Sequence, residues 1–183
     1  MKKFLVFLFF GSFIFFYAKT SFASNDFKTS FNVIQTIGEN GITLINQEIS
    51  LTILFSKKAS GLNLNLTHCS NIKNIKAYDA NGPLEAKIEK EGEITTITVV
   101  FSKKTVGTGK ETKFNLTYES LDLAIQNGQV WEIYVPKLNN AALIENYFLS
   151  LRVPKSFGNS AYISPSPVST NSSATHQIFH FNK

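Results

Sequence analysis

The chain has 183 residues, 18 basic and 13 acidic side chains, and a formal net charge of +5 at pH 7. This length suits one domain with a sizeable core. Nucleic-acid binding is disfavoured, because Arg152 is the only arginine and the lysines are scattered among polar residues rather than clustered. An intramolecular disulfide is excluded, because Cys69 is the only cysteine.

The first 23 residues predict a secretory signal peptide. Lys2 and Lys3 give a positive start, residues 4–18 carry no charge, and Ser21 and Ala23 supply small side chains at −3 and −1 of a cleavage site. The uncharged run is shorter than the roughly 20 residues that a membrane-spanning helix needs. We therefore expect cleavage after Ala23, the alternative being an uncleaved N-terminal membrane anchor.

Removal of this leader changes the charge argument. Lys2, Lys3 and Lys19 leave with it, so 15 basic and 13 acidic residues give the mature chain a net charge of +2. This low charge gives no basis for nucleic-acid binding. The sequence therefore predicts a secreted or extracytoplasmic cell-surface protein. We expect a protein or glycan partner there, and membrane contact only if the leader is retained.

The first elements after the leader predict a long antiparallel hairpin. Apolar side chains alternate with polar ones over residues 31–37 and again over 45–55, a period typical of half-buried strands. Glu39, Asn40 and Gly41 between them form a turn signal.

The same alternation predicts further strands, separated by turns. The strongest turn signal is DANGP at residues 79–83, and Glu91 with Gly92 indicates a second hairpin. Pro136 and Pro154 each end the strand before them, because proline cannot donate to a ladder. These predicted strands lie at residues 62–66, 72–78, 84–88, 97–101, 114–118, 130–135 and 147–153.

Two segments in the second half predict other local structures. Gly107 and Gly109 are similar to part of a nucleotide-binding loop, but the third glycine and the following helix are missing, which favours a bend that leads into a strand. Residues 122–127, with Asp122 as a cap and Gly128 as a stop, predict a short helical turn.

Few residues are candidates for catalysis or metal binding. His68 and Cys69 are adjacent, and successive side chains of a strand point to opposite faces, which favours a half-buried structural thiol over a thiol–imidazole pair. His176 and His180 are four residues apart in an extended segment, about 13 Å from each other, which disfavours a shared metal ion. We expect no catalytic residue, no metal and no cofactor.

The composition changes after Ile163. Residues 164–167 (SPSP) and 169–173 (STNSS) have linker composition, and residues 177–181 resume a strand. The predicted organisation is a signal peptide at 1–23, a β-sandwich domain at 24–163, and a linker with a terminal strand at 164–183. That strand either pairs with an earlier sheet edge or belongs to the front part of a longer protein.

Short strands separated by turns, without a long helical segment, predict an all-β fold. We expect a β-sandwich of two packed antiparallel sheets with about eight or nine strands. Trp131 lies in the apolar strand VWEIYV, which favours the core over an exposed platform for stacking a sugar. The residues predicted to face the core are Val33, Leu51, Ile53, Leu64, Ile75, Ile97, Val99, Phe114, Leu116, Tyr118, Trp131, Ile133 and Leu149.

Several segments together resemble a known family. FNVIQTIGENGITLINQEISLTI, NGQVWEIYVPKL and LRVPKSFGNSAYISPSP, within residues 27–167, resemble the N-terminal β-sandwich region of bacterial transglutaminase-like proteins. The stretch G-x-G-K-x-T-x-x-F-x-L-x-Y is more loosely similar to the luminal sandwich of ribophorin I and to N-terminal sandwiches of some metallopeptidases. The first resemblance implies a sandwich outside the membrane that precedes a papain-like Cys-His-Asp core. No residue of this sequence matches that triad, so only the accessory sandwich is implied.

Two functions remain open at this stage. One is a non-catalytic extracytoplasmic interaction domain, which the resemblance implies would position or present an enzyme at the cell surface. The other is a carbohydrate-binding or adhesin-like module that stacks sugars on exposed rings. Neither involves catalysis, so we expect the protein not to be an enzyme. The candidate rings are Tyr78, Tyr134, Tyr147, Tyr162 and Trp131.

The leader gives the first testable prediction. N-terminal sequencing of the exported protein should begin at Ser24, and Ala23→Lys should block processing because the −1 position requires a small side chain. Asn25→Gln, two residues beyond the cut, should leave processing unchanged. An exported protein that still begins at Met1 would establish the membrane-anchor alternative instead.

Overall fold

A computed structural model describes residues 26–55, 57–138 and 144–183, and strands make up 69% of this part. Its helical content is one short 3-10 helix at Lys155–Phe157. No helix in these three ranges is long and apolar enough to cross a membrane. The predicted leader, including Ser21 and Ala23, lies outside the described residues.

The described part is built from thirteen strands, most of which show the alternation of buried and exposed side chains that the sequence predicts. Their bounds are β1 (Phe27–Ile37), β2 (Thr43–Ile53), β3 (Lys58–Thr67), β4 (Ile72–Asp79), β5 (Gly82–Glu91), β6 (Ile94–Val106), β7 (Glu111–Ser120), β8 (Ala124–Asn127), β9 (Val130–Ile133), β10 (Lys137–Leu138), β11 (Ile144–Pro154), β12 (Ser169–Ser172) and β13 (His176–Asn182).

Eleven strands form one continuous sheet that folds into the two layers of a sandwich. The large sheet has the order β4-β7-β2-β1-β11-β13-β12, and the small sheet has the order β5-β6-β3-β10. β5 joins them, because its first residues pair with β4 and the rest pair with β6. β8 and β9 form a separate hairpin. The predicted sandwich is confirmed, but the predicted number of eight or nine strands is wrong. β10 has only two residues and β12 has four exposed ones, so neither carries an alternation signal.

One pair of neighbouring strands is parallel, whereas the sequence predicts antiparallel pairing throughout. β1 and β11 run in the same direction, with Val33 opposite Leu149. Parallel partners need a long crossover, which is usually helical. Here the crossover consists of strands, since the chain passes through β2 to β10 before it returns along the free edge of β1. A crossover made of strands leaves no helical pattern in the sequence.

The core lies between the large and small sheets. Phe31, Ile49 and Phe114 of the large sheet and Leu64 and Ile97 of the small sheet are at most 4% exposed and belong to one cluster. Each side chain of this size contributes about 1.5–3 kcal/mol by leaving water. Ten of the predicted core residues are buried, namely Val33, Leu51, Ile53, Leu64, Ile97, Val99, Phe114, Leu116, Tyr118 and Leu149.

The three other predicted core residues are only half-buried. Ile75 lies at a bulge of β4, where Asn74 has a φ of 53° and the alternation of faces is interrupted. Trp131 and Ile133 pack against a smaller cluster, in which the indole stacks on Phe157 at a centroid distance of 4.2 Å. The buried members of that cluster are Ile37, Ala124, Leu151 and Phe179.

The helical turn predicted at residues 122–127 is wrong, because this segment begins the β8–β9 hairpin. Gly128 has a φ of 64°, a left-handed conformation that suits a tight hairpin turn as well as a helix stop. The Asp122 carboxylate accepts the backbone N–H groups of Ser70 at 2.6 Å and Asn71 at 3.0 Å. It therefore connects two loops that are distant in sequence instead of capping a local helix.

The end of the described chain completes the large sheet. β13 pairs antiparallel with β11, which is one of the two alternatives that the sequence left open. β12 pairs with β13 and lies within the segment whose composition predicts a linker. A domain boundary at residue 163 stays a prediction.

The position of the core gives a second testable prediction. Leu116→Ala, at a fully buried position of β7, should lower the free energy of unfolding by about 2–5 kcal/mol. Leu44→Ala, the same change at a side chain that is 41% exposed, should alter it by less than about 0.5 kcal/mol. Urea unfolding followed by circular dichroism measures both, and equal losses would contradict the assignment of the faces.

Candidate functional site

A buried thiol lies in the connection between β3 and β4. Cys69 is fully buried, and its Sγ contacts Ser120 Oγ at 3.7 Å. Ser120 Oγ in turn donates to Asp122 Oδ1 at 2.5 Å. A thiol, a hydroxyl and a carboxylate in this order resemble a proton relay. Whether they could act as one depends on whether the Cys69 thiol is protonated.

The protonation of this cluster favours a structural role. Burial raises the pKa of the Cys69 thiol to about 11, although the Ser120 hydroxyl opposes this shift. The thiol is therefore protonated at neutral pH, whereas nucleophilic cysteines have a lowered pKa. His68 is exposed and has a φ of 59°, outside regular strand geometry. Cys69 is thus more deeply buried than the half-buried thiol that the sequence predicts.

The two C-terminal histidines contact neighbouring polar side chains on and beside β13. His180 lies 3.4 Å from Ser150 Oγ and 3.3 Å from Asn171 Nδ2, and His176 lies 2.8 Å from Thr175 Oγ1. In the three described ranges, no group of three His, Cys, Asp or Glu side chains is placed to hold a metal ion.

The glycine-containing segment before β7 is a bend, as the sequence predicts. Gly107 and Gly109 have φ values of 109° and 75°, and the Gly109 N–H donates to the Ile53 carbonyl oxygen at 2.8 Å. The strand β7 follows directly. The segment is therefore a connection between strands.

The five rings that the sequence offers for stacking lie on different elements. Tyr78 on β4 is 47% exposed, Tyr134 follows β9, and Tyr162 follows the 3-10 helix. Tyr147 packs against Phe31 in the core, and burial raises its pKa to about 12. Trp131 is half-buried against Phe157, as described above. Of these five rings, Tyr78 is the one on the face of the large sheet that points away from the core.

That open face, which we call the outer face, is polar, and its centre carries few charges. Paired residues of neighbouring strands point to the same side, so residues that alternate with buried Val33 and Ile49 form it. None of its twelve central residues is buried, and only Glu48 and Lys113 among them are charged. They are Lys113, Asn115, Thr117, Asn46, Glu48, Ser50, Ser30, Asn32, Ile34, Asn146, Phe148 and Ser150.

A cleft of about 340 Å³ lies at one side of the outer face, where Phe148 and Val168 provide apolar walls and His180 and Asn182 provide polar groups. The sequence analysis missed Phe148 because it considered only tyrosine and tryptophan as stacking residues. The available signal was its position between Tyr147 and Leu149, both on the core side, which places Phe148 on the opposite face.

Comparison with known proteins establishes the fold and no family. No protein-family model and no curated protein matches the sequence. Similar solved structures include yeast LTA4 hydrolase, with a TM-score of 0.53 and 12% identity over 85% of this chain. An M1 zinc metallopeptidase from Deinococcus radiodurans has a TM-score of 0.50 and 10% identity over 86% of it. A candidate nutrient-binding protein from Legionella pneumophila has a TM-score of 0.53 and 12% identity over 85% of it.

The likeness covers only part of each of these proteins. This chain spans 26% of the yeast hydrolase, 39% of the Deinococcus peptidase and 63% of the Legionella protein. The similar part of the peptidases is their N-terminal β-domain. At these identities the comparison shows a shared sandwich fold.

The state of Cys69 gives a third testable prediction. Because the thiol is buried and protonated, the native protein at pH 8 should react with Ellman's reagent at least about a hundred times more slowly than the protein unfolded in guanidinium chloride, which should release one equivalent. Cys69→Ser should abolish the signal in both states. Rapid labelling of the native protein would contradict the structural role of this thiol.

Proposed function

We propose that this protein is a non-catalytic β-sandwich module that acts by binding, as an accessory or interaction domain outside the cytoplasm. The observation that carries the proposal is that the structural similarity covers most of this chain but only a minor part of each peptidase. Most of this chain matches them, but it matches 26% and 39% of their lengths, in the β-domain and not in the catalytic part. A domain of this kind contributes a surface, and the chemistry resides elsewhere.

The chemistry of the described residues supports the same proposal. The thiol at Cys69 is buried and protonated, so it is not available as a nucleophile at neutral pH. The outer face, by contrast, is open and rich in amide and hydroxyl groups that can bind without reacting. Location outside the cytoplasm is part of the proposal and depends on the predicted leader.

The relation to transglutaminase-like proteins stays a prediction. The similar solved structures named above are two peptidases and a candidate nutrient-binding protein, and no family model matches. The accessory role does not depend on which relation is correct. In both the transglutaminase-like proteins and the peptidases, a sandwich of this type belongs to a longer chain with a separate catalytic part.

Activity measurements test the non-catalytic part of the proposal. The purified protein should release no coumarin from aminoacyl-aminomethylcoumarin substrates, and should join no fluorescent amine to a glutamine-containing protein, with or without added Zn²⁺. Turnover that increases in proportion to the protein concentration would contradict the proposal. Cys69→Ala, compared with the unmodified protein, would then show whether the thiol carries that activity.

The accessory role has a separate test in the adjoining DNA. We expect a catalytic domain to be encoded in the same reading frame or immediately downstream. A neighbourhood without one would contradict the accessory role while leaving a binding function intact.

A further inference from the structure

One row of side chains crosses the outer face from one side of the large sheet to the other. Successive pairs in the sheet register place these residues next to each other on β4, β7, β2, β1, β11 and β13. We call this the cross-strand row. In spatial order it consists of Tyr78, Asn115, Glu48, Asn32, Phe148 and Asn182.

The polar members of the cross-strand row are free to bind a ligand. Within the described part of the chain, the side chains of Asn115, Glu48, Asn32 and Asn182 make no hydrogen bond to another residue. Three amide groups with both donors and acceptors, and one carboxylate, therefore point to solvent along a line.

Some polar groups beside the row are engaged with one another. Asn146 Nδ2 donates to Ser30 Oγ at 3.3 Å, and Ser150 Oγ lies 3.4 Å from His180 Nδ1. Asn46, Ser50 and Thr117 on the neighbouring rows make no side-chain hydrogen bond within the described residues either, so the hydrogen-bonding capacity of this face extends beyond the row.

Two exposed aromatic rings flank the central polar groups of the row. Tyr78 is 47% exposed and Phe148 is 51% exposed. They are four strand spacings apart, which is about 19 Å along the sheet. Phe148 also forms a wall of the cleft described above, next to Asn182. The row therefore has an apolar surface near each end and hydrogen-bonding groups between them.

We propose that the cross-strand row binds a linear, neutral oligosaccharide laid across the strands. Sugar rings would stack on Tyr78 and Phe148, because pyranose rings present an apolar face of C–H groups. Hydroxyl groups would donate to Glu48 and exchange hydrogen bonds with the amides of Asn115 and Asn32. The cleft beside Phe148 would receive one end of the chain.

The charge of the face selects this class of ligand over the others. A polyanion would be repelled by Glu48 and would find no cation within the row, since the nearest outward lysines, Lys113 and Lys76, lie on the rows to either side. An extended peptide gains most of its affinity from backbone pairing at a sheet edge, whereas the row lies on a sheet face. A neutral oligosaccharide carries many hydroxyl groups that can hydrogen-bond to these amides. It is not repelled by Glu48, and it does not need a sheet edge.

Calorimetric titration with cellohexaose, chitohexaose and maltohexaose tests this inference, which rests on the proposed binding function. At least one of these neutral hexasaccharides should bind saturably. Tyr78→Ala and Phe148→Ala should each weaken that binding about tenfold, as the loss of an aromatic anchor commonly does. Asn32→Ala should weaken it by a smaller factor.

Matched controls come from exposed rings outside the row. Tyr162→Ala, at 84% exposure, and Phe55→Ala, at 58% exposure, should leave the affinity unchanged. All four aromatic side chains are exposed, so their removal should preserve the fold, which circular dichroism confirms for each variant.

Three results would overturn the inference. They are no binding of any of the three hexasaccharides at millimolar concentration, binding that Tyr78→Ala and Phe148→Ala do not affect, and displacement of the bound hexasaccharide by polygalacturonate. Chromatography of the mixture distinguishes failure of the glycan inference from failure of the proposed non-catalytic function. Cleavage of the hexasaccharide would contradict the non-catalytic proposal, whereas an intact and unbound hexasaccharide would overturn only the glycan inference.

Discussion

The pairing of β1 on both of its edges is the interaction on which the rest of the structure depends. β1 pairs antiparallel with β2 over eleven residues and parallel with β11 on the other side. These two ladders join the part of the large sheet that leads to β4 with the part that leads to β12. Gln35, fully buried near the end of β1, also donates to the Tyr134 carbonyl oxygen at 2.8 Å and connects the strand to the segment after β9. Loss of β1 would divide the large sheet into two.

The same strand contributes to both surfaces of the large sheet. Phe31 and Val33 face the small sheet and are at most 3% exposed, while Asn32 between them faces outward. This alternation is the reason why a densely packed core and an open polar face coexist in one layer. A change of register by one residue would exchange the two surfaces, so burial of Phe31 and Val33 fixes the position of Asn32 in the cross-strand row.

The protonated state of the Cys69 thiol and the open, polar character of the outer face have a common physical origin. The cluster of Cys69, Ser120 and Asp122 lies where loops close the sandwich, and burial that packs the thiol also keeps it protonated. The outer face stays in water, so its amides keep their capacity to exchange hydrogen bonds with a ligand. Asp122 holds two loops together, and the amides of Asn32 and Asn115 face the solvent.

Local alternation in the sequence determined the all-β class, the hairpins of β1 with β2 and of β5 with β6, and most of the core. The reason is that a strand with one face in water and the other in the core has an apolar residue at every second position. It could not reveal the parallel pairing of β1 with β11, which joins residues more than a hundred positions apart, or the short strands β10 and β12, which bury too little to leave a pattern. Residues 122–127 were ambiguous because a glycine in the left-handed conformation ends helices and closes hairpins alike. The outward direction of Asn32, Glu48 and Asn115 followed from the sequence, since each alternates with core residues. Their alignment in one row with Tyr78 and Phe148 did not, because only the register between strands, set by the packing of the two sheets, decides which outward side chains become neighbours.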